Sequence, residues 1–288
     1  MRWSADVASG RWIGDRLEGW GTVGGVAGRD FEAYARVFHP AEARRVTSTD
    51  PLDVEFRMAP WREIASARGN RWHPEAQWGA LSGNASGDIE LGDGWLVAEP
   101  SQGRLPLTQL AAICEVLLMH GPPEVMLGLW EGWGDLHPGS GSRFLALNSE
   151  PLTPRQLRSQ EERLHSEHAA SVDPEVARAL SAGTLLELPG RNYVLLAAHL
   201  GEFLDTDWVS TAGIGWHFGW GPTPNLMWPA DRSWLLASEV DFDSTLVGGS
   251  RAIVDAVLAD ERLEVAEVTA DTDLTITGDR INPSPPGR

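Results

Sequence analysis

The sequence predicts an α+β protein, with mixed sheet or sheets, packed helices and a C-terminal strand–helix–strand unit. Three observations lead there. Strand-like and helix-like patterns both recur along the chain. Several helix starts carry proline or capping signals. Of the 288 residues 42% are apolar, enough for a sizeable core.

Taken in order, Arg11–Trp20 reads as a short amphipathic helix. Thr22–Ala27 and Phe31–Phe38 read as two strands joined in a hairpin by Gly28-Arg29-Asp30, with His39-Pro40 ending the second. Pro60 opens a helix through Trp61–Ala65, and the Gly-, Ser- and Asp-rich stretch Ser82–Gly94 reads as a loop. Pro106–Met119 has the spacing of a mostly buried helix, stopped by His120-Gly121-Pro122-Pro123. Val125–Trp130 is then a strand and His137–Arg143 a loop or hairpin tip. Thr153-Pro154-Arg155-Gln156 starts a polar helix running to about His168. A second helix starts at Asp173-Pro174-Glu175 and stops at Gly183. Leu185–Leu188 and Tyr193–Ala198 flank a Pro-Gly turn. Trp234–Phe242, Ser250–Leu258 and Leu263–Val268 form the terminal strand–helix–strand unit, in a parallel, antiparallel or split arrangement. The expected organisation is an N-terminal lobe over 1–148, a C-terminal lobe over 149–281 and a disordered tail at 282–288, with one continuous domain as the alternative.

Composition narrows the function. The 23 basic residues are all arginine, so a lysine Schiff base, a P-loop lysine and an ammonium base are excluded. A net charge of −18 opposes nucleic-acid binding and suits a basic protein partner. No run approaches the roughly 20 apolar residues of a membrane span, and Met1–Asp6 lacks the apolar core of a signal peptide. Cys114, the single cysteine, falls in an apolar helical pattern and reads as a buried, inert thiol. The expected location is the cytoplasm, with no membrane, metal or cofactor.

Four motifs carry chemistry. Asp241-Phe242-Asp243-Ser244-Thr245 follows an apolar run and resembles the first motif of the haloacid-dehalogenase-like phosphohydrolases. That resemblance implies Asp241 as nucleophile, Asp243 as acid and base, and Thr245 as a phosphate ligand, with Mg²⁺ neutralising the site. Only 246–288 follows, without the lysine that the family uses, which is too short for its sheet. Gly248-Gly249-Ser250 could hold an anion at a helix start, or simply cap it through Ser250; Glu239–Arg280 carries 11 acidic residues against 3 Arg, a poor field for phosphate. His165 and His168, with Glu161 and Glu162 one turn earlier, share a helix face, read as a solvated charged face. Finally, Trp130-Glu131-Gly132-Trp133-Gly134 and Trp216-His217-Phe218-Gly219-Trp220-Gly221 concentrate Trp with Gly. Such flanking glycines let indoles stand out toward a ligand or fold back onto a sheet.

Tyr34–Pro40, Trp130–Gly134, Leu188–Tyr193, Asn225–Arg232 and Val247–Ser250 together resemble an uncharacterised family of actinobacterial hypothetical proteins. The resemblance spans most of the chain and implies that these phrases form one unit; it brings no activity or ligand. The expectation is therefore a non-catalytic binding or interaction protein of regulatory or immunity type. Its partner would be a basic protein or a small molecule held at Trp130, Glu131, Trp133, Trp216, His217 and Trp220. The alternative is a metal-assisted hydrolase using Asp241 and Asp243.

Overall fold

The computed structural model describes residues 1–50, 53–84, 86–137, 158, 162–163, 166–216 and 219–284. In chain order the elements are β1 (Arg2–Ser4), α1 (Arg11–Arg16), α2 (Val23–Ala27), β2 (Ala33–Phe38), β3 (Ala41–Val46), β4 (Val54–Ala59), α3 (Trp61–Arg68), α4 (Trp78–Ser82), β5 (Ile89–Glu90) and β6 (Leu96–Val97). There follow α5 (Leu107–His120), β7 (Glu124–Trp130), α6 (Pro174–Ala182), β8 (Leu186–Leu188), β9 (Arg191–His199), β10 (Leu226–Pro229), β11 (Leu235–Ala237), β12 (Ser244–Gly249), α7 (Arg251–Leu258) and β13 (Val265–Val268).

The fold is α+β, and the pairings in its two sheets are antiparallel. Among the described residues the larger sheet has nine strands in the order β1-β9-β7-β10-β11-β12-β2-β13, with β8 also on β9; the smaller runs β4-β3-β6-β5. The larger sheet thus interleaves strands from both sides of position 148.

Alternation along the strands explains how both faces of the larger sheet are buried. On β9, Val194, Leu196 and Ala198 face a core built with Leu110, Ile113 and Leu117 of α5, Val176 and Ala179 of α6, and Ile253 and Val257 of α7. Tyr193 and Leu195 face the opposite core, with Trp12 and Ile13 of α1 and Val23 and Ala27 of α2. Phe38, at the end of β2, reaches a third core under the smaller sheet with Trp61, Ile64, Trp78 and Leu81. His39-Pro40 carries the chain from one sheet to the other.

Several expectations hold in detail. Asp173 caps α6 through the Glu175 amide, Pro174 sits in its first turn, and Gly183 ends it in the left-handed region. β8 and β9 form the hairpin around Pro189-Gly190. Ser250 caps α7 through the Ile253 amide. The C-terminal unit is split: β12 and β13 both pair with β2, which lies between them.

Others are corrected. Thr22–Ala27 is no strand but forms α2 with Thr22 as its N-cap, so the hairpin with β2 does not form. The Thr22 hydroxyl accepts from the Gly25 amide at 3.1 Å, and a Cβ on Gly25 would lie 2.2 Å from the Gly19 carbonyl oxygen. The alternation in this run reads as a strand, whereas its glycines allow the helical turn to press against the preceding loop. α1 stops at Arg16, because Leu17 is already extended. Pro60 is the N-cap of α3, whose first amides, Trp61 and Arg62, are capped instead by the Glu264 carboxylate at 2.5 and 2.8 Å. Trp234–Phe242 splits into β11 and a turn, and Ser82–Gly94 contains β5. Among the described residues no helix is long and apolar enough to cross a membrane.

Candidate functional site

The tryptophans singled out in the sequence come together, but not as a bare platform. Trp130 closes β7, and its ring folds back over Gly132, where a Cβ would lie 2.1 Å from Trp130 Cζ2. Trp133 meets Trp130 edge to face at 5.5 Å between centroids, within the usual range for aromatic pairs. The Arg104 guanidinium lies 4.3 Å from the Trp133 centroid and 5.5 Å from that of Trp220. At the other end the Arg191 guanidinium lies 5.4 Å from Trp130. The result is a ladder, Arg191–Trp130–Trp133–Arg104–Trp220, with every step between 4.3 and 5.5 Å. Trp130 and Trp133 are half-buried, whereas Trp220 is 55% exposed.

The ladder is pinned from beneath by Asn225, which is 1% exposed. Its Oδ1 accepts from the Trp130 backbone amide at 2.9 Å and from Trp133 Nε1 at 2.8 Å, and its Nδ2 donates to Ser238 O at 2.9 Å. Glu131 accepts from Asn192 Nδ2 at 2.6 Å. Trp216 donates to Pro222 O at 2.8 Å, and its ring lies against Gly221. His217 lies outside the described residues, as do Glu161 and His165. His168 Nε2 donates to Asp135 O at 2.8 Å, since a carbonyl oxygen only accepts.

Arg191 links this ladder to a second feature. It pairs with Glu239 at 3.0 Å and with Asp241 at 2.6 Å. Beside it opens a cleft of about 90 Å³, with Leu17, Val26, Leu188, Tyr193 and Phe242 in its lining and Trp20 on its rim. That volume has room for several waters or one apolar side chain. Burial pushes the Tyr193 phenol well above its ordinary range, so it stays neutral.

Trp20 is 84% exposed. It sits between Gly19 and Gly21, both in the left-handed region (φ 80° and 81°), which a side chain would strain. The loop around it is tied down: Leu274 N–H donates to Gly21 O at 2.8 Å, Val23 N–H to Thr272 O at 3.0 Å, and Gly24 N–H to Ala270 O at 2.8 Å. A large indole is therefore held in solvent on a braced loop, next to an apolar cleft. Sequence reasoning missed Trp20 by placing it at the end of a helix. Its signal was present, since Gly19-Trp20-Gly21 repeats the pattern of Gly219-Trp220-Gly221.

The acidic pair behaves differently from its motif. Asp241 and Asp243 lie in the turn before β12, not at the end of a long apolar strand. Asp241 is bound by Arg191, while Asp243 turns inward, 3.6 Å from the buried Arg36. Burial raises the Asp243 carboxyl above its ordinary range, and Arg36 pulls it back down. Arg36 itself bonds Ser244 Oγ, Pro74 O and Ala76 O. Thr245 does not await a phosphate: its hydroxyl is sealed between His39 Nε2 and Ser238 Oγ, at 2.8 Å each. His39 Nδ1 faces Ser101 O at 2.7 Å, so it carries the ring proton and Nε2 accepts from Thr245. Gly248 makes room for Phe31, whose ring would lie 2.6 Å from a Cβ there. Among the described residues no group of three or more His, Cys, Asp and Glu could hold a metal ion. Cys114 is buried, and burial raises its thiol far above the ordinary range, as expected of an inert thiol.

No protein-family model, no curated protein and no solved structure matches this chain.

Proposed function

We propose that this chain is a non-catalytic binding protein whose face between Trp20 and Trp220 takes a basic protein segment, with one apolar side chain of that segment seated in the Trp20 cleft. The observation that carries the reading is the braced Gly19-Trp20-Gly21 loop. Exposed tryptophan beside a pocket has the character of a binding hot spot, and a loop ordered beforehand lowers the entropic cost of association.

Charge supports the choice of partner. Arg191, which lines the cleft, is outnumbered by its carboxylate partners Glu239 and Asp241. With a net charge of −18, the field over this face draws cations and speeds their encounter. The ladder behind the cleft, held by Asn225, keeps the surface rigid rather than supplying reactive groups.

The test is a random peptide library selected on the protein and counter-selected on its Trp20→Ala variant. Enrichment of an aromatic or branched aliphatic residue flanked by Arg or Lys supports the reading. Enrichment of acidic peptides, or of peptides retained equally by Trp20→Ala, overturns it.

A further inference from the structure

We propose that β4 pairs with β4 of a second copy of this chain, joining the two smaller sheets into one across a twofold axis. The surface is separate from the Trp20 cleft and does not depend on the reading given to it.

Among the described residues β4 is the last strand of the smaller sheet, paired on one side with β3 along its whole length, from Ala41↔Ala59 to Val46↔Val54, without a bulge. Such an edge presents unpaired backbone donors and acceptors, and proteins usually blunt it with proline, a bulge or a covering element. Val54–Ala59 holds no proline and no bulge, and its two charges, Glu55 and Arg57, are of opposite sign, so they can pair across a twofold axis instead of repelling. The outer face beside it carries exposed apolar side chains, Phe56 at 60%, Met58 at 51% and Val46 at 54%, with Glu42 and Arg44 of β3 opposite Met58 and Phe56.

The strand is complementary to itself in one register. Residues directly opposite in an antiparallel pair share a face, so outward residues 54, 56 and 58 must meet outward residues of the partner. That leaves twofold pairings centred on Glu55, Phe56 or Arg57. Centring on Glu55 sets glutamate against glutamate, and centring on Arg57 sets arginine against arginine. Both are unfavourable. Centring on Phe56 sets each Glu55 opposite the other copy's Arg57, packs the two Phe56 rings together, and places each Val54 beside a Met58. Within one chain Arg45 already pairs with Glu55 at 2.7 Å and Arg57 with Glu63 at 2.5 Å. The register therefore extends an alternating row of charges, Arg45, Glu55, then Arg57 and Glu63 of the other copy. A short strand and a few apolar side chains make a small interface, so the dimer is weak and depends on concentration.

Sedimentation velocity over about 5 to 500 μM tests this with the full chain and two charge reversals, Glu55→Arg and Arg57→Glu. The wild type should dimerise within that range. Each reversal sets two like-charge pairs across the axis and should weaken dimerisation by about tenfold or more. Mixing the two variants restores both opposite-charge pairs, so a heterodimer should form at concentrations where each variant alone is monomeric. That recovery also shows that both variants are folded. A wild type that stays monomeric throughout, or dimers indifferent to both reversals, or failure of the mixture to recover, overturns the proposal.

Discussion

His39 should give the protein a defined acid sensitivity. It is fully buried, and burial pushes its imidazole from the ordinary 6.5 down to about 4, with Arg36 adding to the effect. The unfolded chain takes up this proton as pH falls through 6.5, whereas the folded chain resists it until about pH 4. The unfolded state thus binds more protons in that window, and stability must fall as pH falls through it. Over the window the loss from this one group is about 3 kcal/mol. Asp243 and Glu264 act in the opposite sense, because burial raises their carboxyls above the unfolded value and acid then favours the folded state. A difference measurement removes them. Urea unfolding of the wild type and His39→Gln at pH 7.5, 6.5, 5.5 and 4.5 gives two stability curves; the glutamine keeps a donor for Ser101 O and an acceptor for Thr245. The wild type should lose more stability than the variant between pH 6.5 and 4.5, by about 2 to 3 kcal/mol. Parallel curves would refute the reasoning, since His39 would then titrate alike in both states.

Three further outcomes follow from the geometry. Asn225→Ala strips partners from the Trp130 amide, Trp133 Nε1 and Ser238 O together. It should cost about 3 kcal/mol or more and flatten the near-ultraviolet circular dichroism; a cost below about 1 kcal/mol would contradict the role given to Asn225. Gly215→Ala would place a Cβ 1.8 Å from Asp135 O at φ 85°, and should lower the melting temperature by several degrees, about 2 kcal/mol or more in stability. A wild-type melt would show that this loop yields easily. Trp20→Ala, at an exposed position, should leave stability within about 0.5 kcal/mol while weakening partner binding at least about tenfold; a destabilised variant with unchanged binding would reverse that assignment.

Much of the architecture was legible because local signals and tertiary packing agree. Asp173-Pro174 and Gly183 fix α6 by backbone chemistry alone, and the apolar spacing of Leu110, Ile113 and Leu117 fixes α5. One failure comes from glycine beside apolar residues. Val23-Gly24-Gly25-Val26 satisfies a strand pattern, yet only the contacts of its glycines with Gly19 and Ala270 decide for a helix. The smaller sheet was invisible because β3 and β4 are rich in Ala, Arg and Glu, with their large apolar residues facing solvent. For the site, the Trp–Gly phrases did identify residues that meet, but sequence spacing could not tell a ring lying on Gly132 from one displayed by Gly19 and Gly21. The acidic motif misled for a different reason. Asp241 and Asp243 are two residues apart, a spacing that would put them on one face of a strand, yet they lie in a turn that sends them to different partners, Arg191 outside and Arg36 inside.

The central claim is that the braced Trp20 loop and its cleft form a binding face for a basic segment. Backbone hydrogen exchange, followed with and without the best Arg-flanked peptide from the library selection, tests it most directly. Binding at this face predicts slowed exchange in residues 17–26 and 188–193, lost when Trp20 is replaced by alanine. Slowed exchange confined to other segments, or none at saturating peptide, would contradict it.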